Sequence, residues 1–143
     1  MNLSRALCVT LLVLLIVTVG CGGGSSFDPN NVTLAISPSA ATIPTSGQVA
    51  LLAIVKGSPA APALTWSIAE LQANGATGSQ CNWSGSTPPA GPCPDGTIQG
   101  VDAGSLKVTY LAPSTTGTFH VIAQDNVSLT LVKDATAVVT VSP

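Results

Sequence analysis

His120 is the only histidine in the chain, so any Ser-His-Asp or Cys-His relay must pass through it. The alternation around it sets His120 mid-strand, on the face opposite Phe119 and Val121. No G-x-S-x-G elbow accompanies it. That placement reads as a sheet-face side chain and assigns no catalytic residue. Zinc needs three or four ligands, and one histidine with Cys81 and Cys93 does not supply them. Glu70 and Asp95 are carboxylates of the kind that flank a scissile glycosidic bond, but the long polar segment between them leaves their separation open. Asp28, Asn30 and Asn31 cluster early, and Asp125, Asn126 and Asp134 cluster late. Hard cations want several oxygens at once, yet neither cluster has EF-hand spacing, and turn-forming Asx chemistry accounts for both. The expectation is a protein without a catalytic centre, metal or cofactor.

Recognition chemistry is as sparse. Trp66 sits between Leu64 and Ile68 in period-2 register and reads as core, with Tyr110 and Phe119. Trp83 lies instead among small polar residues between Cys81 and Cys93. It is the candidate contact for a partner, because a tryptophan on a fixed loop makes an effective anchor. Charged residues are 7% of the chain, the formal net charge is −2 and the isoelectric point is about 4.8. A nucleic-acid binder carries a basic stripe, so nucleic acid is excluded as a partner.

The amino terminus carries the most specific signal. Met1 to Arg5 is a short basic start, Ala6 to Val19 is uncharged and apolar, and Thr18-Val19-Gly20-Cys21 precedes Gly22-Gly23-Gly24-Ser25-Ser26. The apolar run is shorter than the roughly 20 residues that cross a bilayer, and it lacks a basic stop-transfer flank. It resembles the signal peptide and lipobox of a bacterial lipoprotein, with Thr18 where that family usually has Leu. The resemblance implies removal of residues 1–20 and a covalent lipid on Cys21. Residues 21–31 then form a tether to a domain at 32–143. The expected location is the bacterial cell envelope, in the outer membrane or on the outer face of the cytoplasmic membrane.

Removing residues 1–20 leaves Lys56, Lys107 and Lys133 against six carboxylates, and removes much of the apolar excess. It also takes Cys8, while Cys21 is the lipid site. Cys81 and Cys93 remain, an even pair in an exported protein, where disulfides persist. The residues between them are turn-formers that cannot order themselves around a core. A bridge closing a loop of about 15 residues stabilises by about 3 kcal/mol in the chain-entropy treatment, so a Cys81–Cys93 disulfide is expected. Asn31, Asn82 and Asn126 begin N-x-Ser/Thr triplets, which read as chance matches in a bacterial chain rich in Ser and Thr.

The mature part alternates apolar and small polar residues with period 2. Val32, Leu34 and Ile36 point one way until Ser37-Pro38-Ser39 interrupts. Ala41 to Ile43 is a short extended piece. Val49 to Val55 has apolar residues on both faces. Leu64 to Ile68, Gly96 to Ile98, Leu106 to Leu111, Thr118 to Gln124 and Ala135 to Val141 follow, with Ser128 to Val132 extending the last hairpin. A further short strand is expected near Ala73 to Gly78, since a compact domain rarely holds so long an unstructured run. About seven short strands at even spacing predict an all-β, antiparallel β-sandwich.

Ile36-Ser37-Pro38-Ser39, the Ser46-Gly47 turn, Leu64-Thr65-Trp66-Ser67-Ile68, Gly96-Thr97-Ile98, Tyr110-Leu111-Ala112-Pro113 and the strand from Ala137 to Val141 occur in that order. Together they resemble a bacterial immunoglobulin-like domain of the group 2 kind, spanning about Val32 to Ser142. The resemblance implies an immunoglobulin-like sandwich in which Trp66 is the buried tryptophan of the third strand. The Cys81–Cys93 pair departs from the inter-sheet bridge of antibody domains. The implied role is a non-catalytic, lipid-anchored module for adhesion, scaffolding or protein interaction. It is expected to be monomeric, with membrane contact through the lipid and an unidentified protein or glycan partner. Carbohydrate binding, enzyme-accessory work and a purely structural spacer are the alternatives.

Overall fold

The computed structural model describes residues 28–58, 62, 64–73, 81–84, 89, 92–102, 104–128 and 131–143. The expected signal peptide, Cys21 and the tether to residue 27 lie outside the described residues. So does the segment 74–78, most of the strand expected near Ala73.

A 3-10 turn at Pro29–Asn31 leads into β1 (Thr33–Ser37). Val32 and Ile36 are buried while Thr33, Ala35 and Ser37 are exposed, as the alternation requires. Ser37-Pro38, a cis peptide bond, ends β1. Proline has no N–H for a ladder, and here the chain leaves one sheet for the other. It resumes as β2 (Ala40–Pro44), then turns at Thr45-Ser46 into β3 (Gln48–Lys56). Both faces of β3 are apolar, and the structure buries Leu51 and Ala53 while exposing Leu52 and Ile54. β4 (Leu64–Ile68) buries Leu64, Trp66 and Ile68. The short helix α1 (Ala69–Ala73) follows directly, so Ala73 closes a helix where a strand was expected.

After the undescribed residues come β5 (Asn82–Trp83), β6 (Thr97–Gln99), β7 (Lys107–Leu111), and the paired long arms β8 (Gly117–Ser128) and β9 (Leu131–Ser142). One sheet has the order β1-β3-β7-β6-β5 and the other β2-β9-β8-β4. The runs β1-β3-β7-β6 and β9-β8-β4 reproduce the constant-type immunoglobulin arrangement of two sheets. Most pairings are antiparallel, but β2 runs parallel to β9 and β5 parallel to β6, so both sheets are mixed. β2 and β5 raise the strand number above the seven expected.

The core lies between the sheets. Leu51, Ile98, Val108 and Tyr110 face Trp66, Ile68, Phe119, Val121 and Val139, all buried. The Tyr110 and Phe119 rings are 6.4 Å apart and tilted by 38°, within the favourable range for aromatic pairs. Tyr110 donates its hydroxyl hydrogen to the Asp95 carbonyl at 2.8 Å, which holds the turn before β6 against the core. Gly96, in that turn, has φ +92°, and a Cβ there would stand 2.5 Å from the Leu111 carbonyl oxygen. Only glycine fits.

Candidate functional site

The side of the sandwich where β4 and β5 end their sheets is where the structure gathers groups suited to recognition. Each is an edge strand, so backbone polar groups there need partners. Asn82 supplies one by donating its side-chain N–H to the Trp66 carbonyl across the gap between the two sheets. The Trp66 indole N–H is spent on the Ser105 carbonyl at 2.9 Å. That bond fastens the turn 102–105, whose own closure is Ser105 N–H to the Asp102 carbonyl at 2.9 Å and Asp102 N–H to Ser105 Oγ at 3.0 Å. β5 is short but well held. The Cys81 carbonyl accepts from Ile98 N–H, and the Trp83 carbonyl accepts from Gly100 and Val101.

The expected Cys81–Cys93 disulfide is present, with Cα atoms 5.8 Å apart. Cys81 is itself buried in the core cluster. The bridge therefore ties the residue immediately before β5 to the chain that leads into β6. Trp83 was expected in an irregular loop. The structure places it on a strand, half-buried.

Between these elements lies a cleft of about 390 Å³. Leu64, Thr65 and Trp66 line it from β4, Asn82 and Trp83 from β5, Ser84 follows them, and Val101 and Asp102 close the far side. Two polar atoms of β5, Trp83 Nε1 and Asn82 Oδ1, are shielded from solvent and have no hydrogen-bond partner. Buried polar groups are normally paired, and leaving one unpaired costs about 1–3 kcal/mol. Of the residues singled out from sequence, the cleft unites Trp66 and Trp83. Tyr110 and Phe119 stay in the core behind it. Asn82, Ser84 and Asp102 were not foreseen as neighbours, because long-range packing of an edge leaves no periodic trace.

His120 and Glu70 meet elsewhere. α1 packs on β8, so Glu70 accepts from the His120 backbone N–H at 3.0 Å, and His120 Nδ1 lies 2.6 Å from Glu70 Oε1. An ionised carboxylate only accepts, so Nδ1 carries the proton in this pair. Burial by itself pushes the Glu70 carboxyl up. The hydrogen bonds from the His120 backbone and ring, with the His120 charge, outweigh it and hold the group below its usual value of 4.5. Burial raises the Tyr110 phenol well above its ordinary range, and the nearby Glu70 and Asp95 charges add to that. Neither His120 nor Glu70 lines the cleft.

The acidic clusters resolve in two ways. Asp28 accepts from the backbone and side-chain N–H groups of Asn30, both at 2.9 Å, and from the Asn31 side chain at 3.2 Å, an Asx turn at the start of the domain. Asp125 is on β8 and only 2% exposed, in register with Val121 and Ala123, while Asp134 is exposed on β9. They were expected in one connecting region, but the strands run further than the apolar pattern does. Among the described residues, no group of three or more His, Cys, Asp or Glu side chains is placed to hold a metal ion, and no helix is long and apolar enough to cross a membrane.

No family model matches the chain and no curated protein matches it. Among solved structures, it is similar to a nucleoside hydrolase-related hypothetical protein from Saccharophagus degradans that is associated with carbohydrate metabolism, at 18% identity and a TM-score of 0.41. The match covers 72% of this chain and 22% of that one. The chain itself is an all-β sandwich, stapled by Cys81–Cys93 beside its open edge.

Proposed function

We propose that this protein is a lipid-anchored module of the bacterial cell envelope that works by binding, through the disulfide-fastened edge at β4 and β5. The observation that carries the reading is the cleft at that edge, where a half-buried Trp83 and unpaired polar atoms sit on a strand held by the Cys81–Cys93 bridge. Fixing a recognition surface in advance lowers the ordering cost of association. The anchoring half of the reading rests on the Gly20-Cys21 junction and the glycine-rich tether after it. In this reading the domain belongs with group 2 bacterial immunoglobulin-like domains, as a monomeric adhesion or scaffolding unit without a cofactor. The residues best suited to acid–base work, His120 and Glu70, are engaged with each other away from the cleft.

The test is the anchor. Two or more lipid chains hold a protein stably on a membrane, whereas one is marginal. Wild-type protein is expected in the membrane fraction with a mass showing acylation at Cys21. Cys21→Ser is expected to retain residues 1–20 and carry no lipid. Soluble wild-type protein with an unmodified Cys21, or cleaved elsewhere, overturns the reading.

A further inference from the structure

We infer that the cleft between β4 and β5 binds an uncharged, hydroxyl-rich ligand, a saccharide unit, with Trp83 and Asn82 as its main contacts. The inference rests on the binding-module reading and names its ligand class. Size comes first: about 390 Å³ falls within the range of small-molecule sites, roughly 300–1,000 Å³. The lining then narrows the chemistry. Trp66 and Leu64 are buried side chains that give the cleft an apolar part, and Trp83 adds a second indole. Thr65, Asn82 and Ser84 bring neutral donors and acceptors. Among the described residues no Lys, Arg or His lines it, so phosphate, sulfate or carboxylate ligands would find no counter-charge there. Asp102, the one charged lining residue among those described, further disfavours anions.

Two other occupants fit less well. A purely aliphatic ligand would leave the Trp83 N–H and the Asn82 amide oxygen unpaired, as they are in the free protein. A peptide adding to the β4 edge would need the Trp66 carbonyl, and Asn82 already occupies it. What remains is a ring with an apolar face for an indole and hydroxyls for an amide, an N–H and two side-chain hydroxyls. Both unpaired atoms are shielded from water in the free chain, so engaging them requires the Trp83 side chain to turn toward the ligand and uncover the Asn82 amide oxygen, while the Asn82 N–H stays on the Trp66 carbonyl. Binding should therefore change the environment of Trp83.

The experiment uses the lipidated wild-type protein in detergent micelles, applied to an array of neutral hexose, pentose and N-acetylhexosamine oligosaccharides, with heparin fragments and a peptide library alongside. Retention on at least one neutral glycan is expected, with a shift of intrinsic tryptophan fluorescence on titration. Trp83→Ala is expected to weaken that binding by about tenfold or more. Trp83→Phe, which keeps one aromatic ring but loses the pyrrole ring with its N–H, should fall between wild type and Trp83→Ala and reduce the fluorescence shift to what Trp66 contributes. Thermal melting of each variant separates lost binding from lost fold. Should Trp83→Ala fail to fold, Trp83→Phe carries the test. Folded wild type that binds no neutral glycan overturns the inference, as does binding confined to heparin or peptides, or binding indifferent to both substitutions. A membrane-anchored protein that binds no glycan would remove this ligand and leave the envelope-module reading standing.

Discussion

At the scale of single residues, two polar contacts pin the helical and turn segments to the sandwich. Glu70 reaches back from α1 to both the backbone and ring of His120. Its folded-state value is held below 4.5, so the stabilisation is present above the unfolded value and is lost as pH falls through the folded one. Wild type is therefore expected to lose stability as pH falls below about 4.5. Glu70→Gln should lose less over the same interval, a difference read from urea midpoints across pH 3 to 6. Tyr110 works in the same way on the other sheet, with its hydroxyl on the Asp95 carbonyl beside Gly96. Tyr110→Phe is expected to lower stability by about 1 kcal/mol. Gly96→Ala should cost more than about 1 kcal/mol, because it combines a positive φ with a collision against backbone. Both are measured by denaturant unfolding.

At the scale of elements, the bridge and the edge it supports belong together. Cys81 lies in the core and Cys93 packs against it, so the disulfide restrains the unfolded chain and also fills space in the folded one. Cys81→Ser with Cys93→Ser is expected to lose about 3 kcal/mol. In a domain of this size that lowers Tm by roughly 10 °C or more, and scanning calorimetry would show it. If Tm holds while glycan binding falls, the bridge serves recognition alone.

The elements that carry this edge were unevenly legible in the sequence. Strict alternation identifies the inward residues of β4, β8 and β9, since period 2 is a property of each strand by itself. It also marks Trp66 as core, while the cysteine count in an exported chain marks Cys81 and Cys93 as a pair. β5 is two residues long and α1 five, too short for any period to register. The contact between Glu70 and His120 joins residues 50 apart. The cleft requires two sheets to end side by side, and no local pattern encodes that.

At the scale of the whole molecule, the chain gives its first two strands to different sheets. β1 belongs to one and β2 to the other, with the Ser37-Pro38 break between them. The outer face of β3 leaves Leu52 and Ile54 exposed, opposite Lys107 and Ala35 respectively, and among the described residues Leu106 and Val132 are the other large apolar side chains given to solvent. The parallel pairing of β2 with β9 runs from Ala40↔Val138 to Pro44↔Ser142, and it has a mechanical consequence. Tension drawn between residue 28 and residue 143 pulls β2 backwards along its length and β9 forwards along its own. The strands are loaded in shear, and their hydrogen bonds share the force instead of parting one after another. Optical-tweezer pulling across these two points should therefore need a higher rupture force than pulling that peels β9 from β8 starting at their Ser128↔Leu131 end. On the lipid-anchored reading proposed above, the domain would hold its shape under load along that axis.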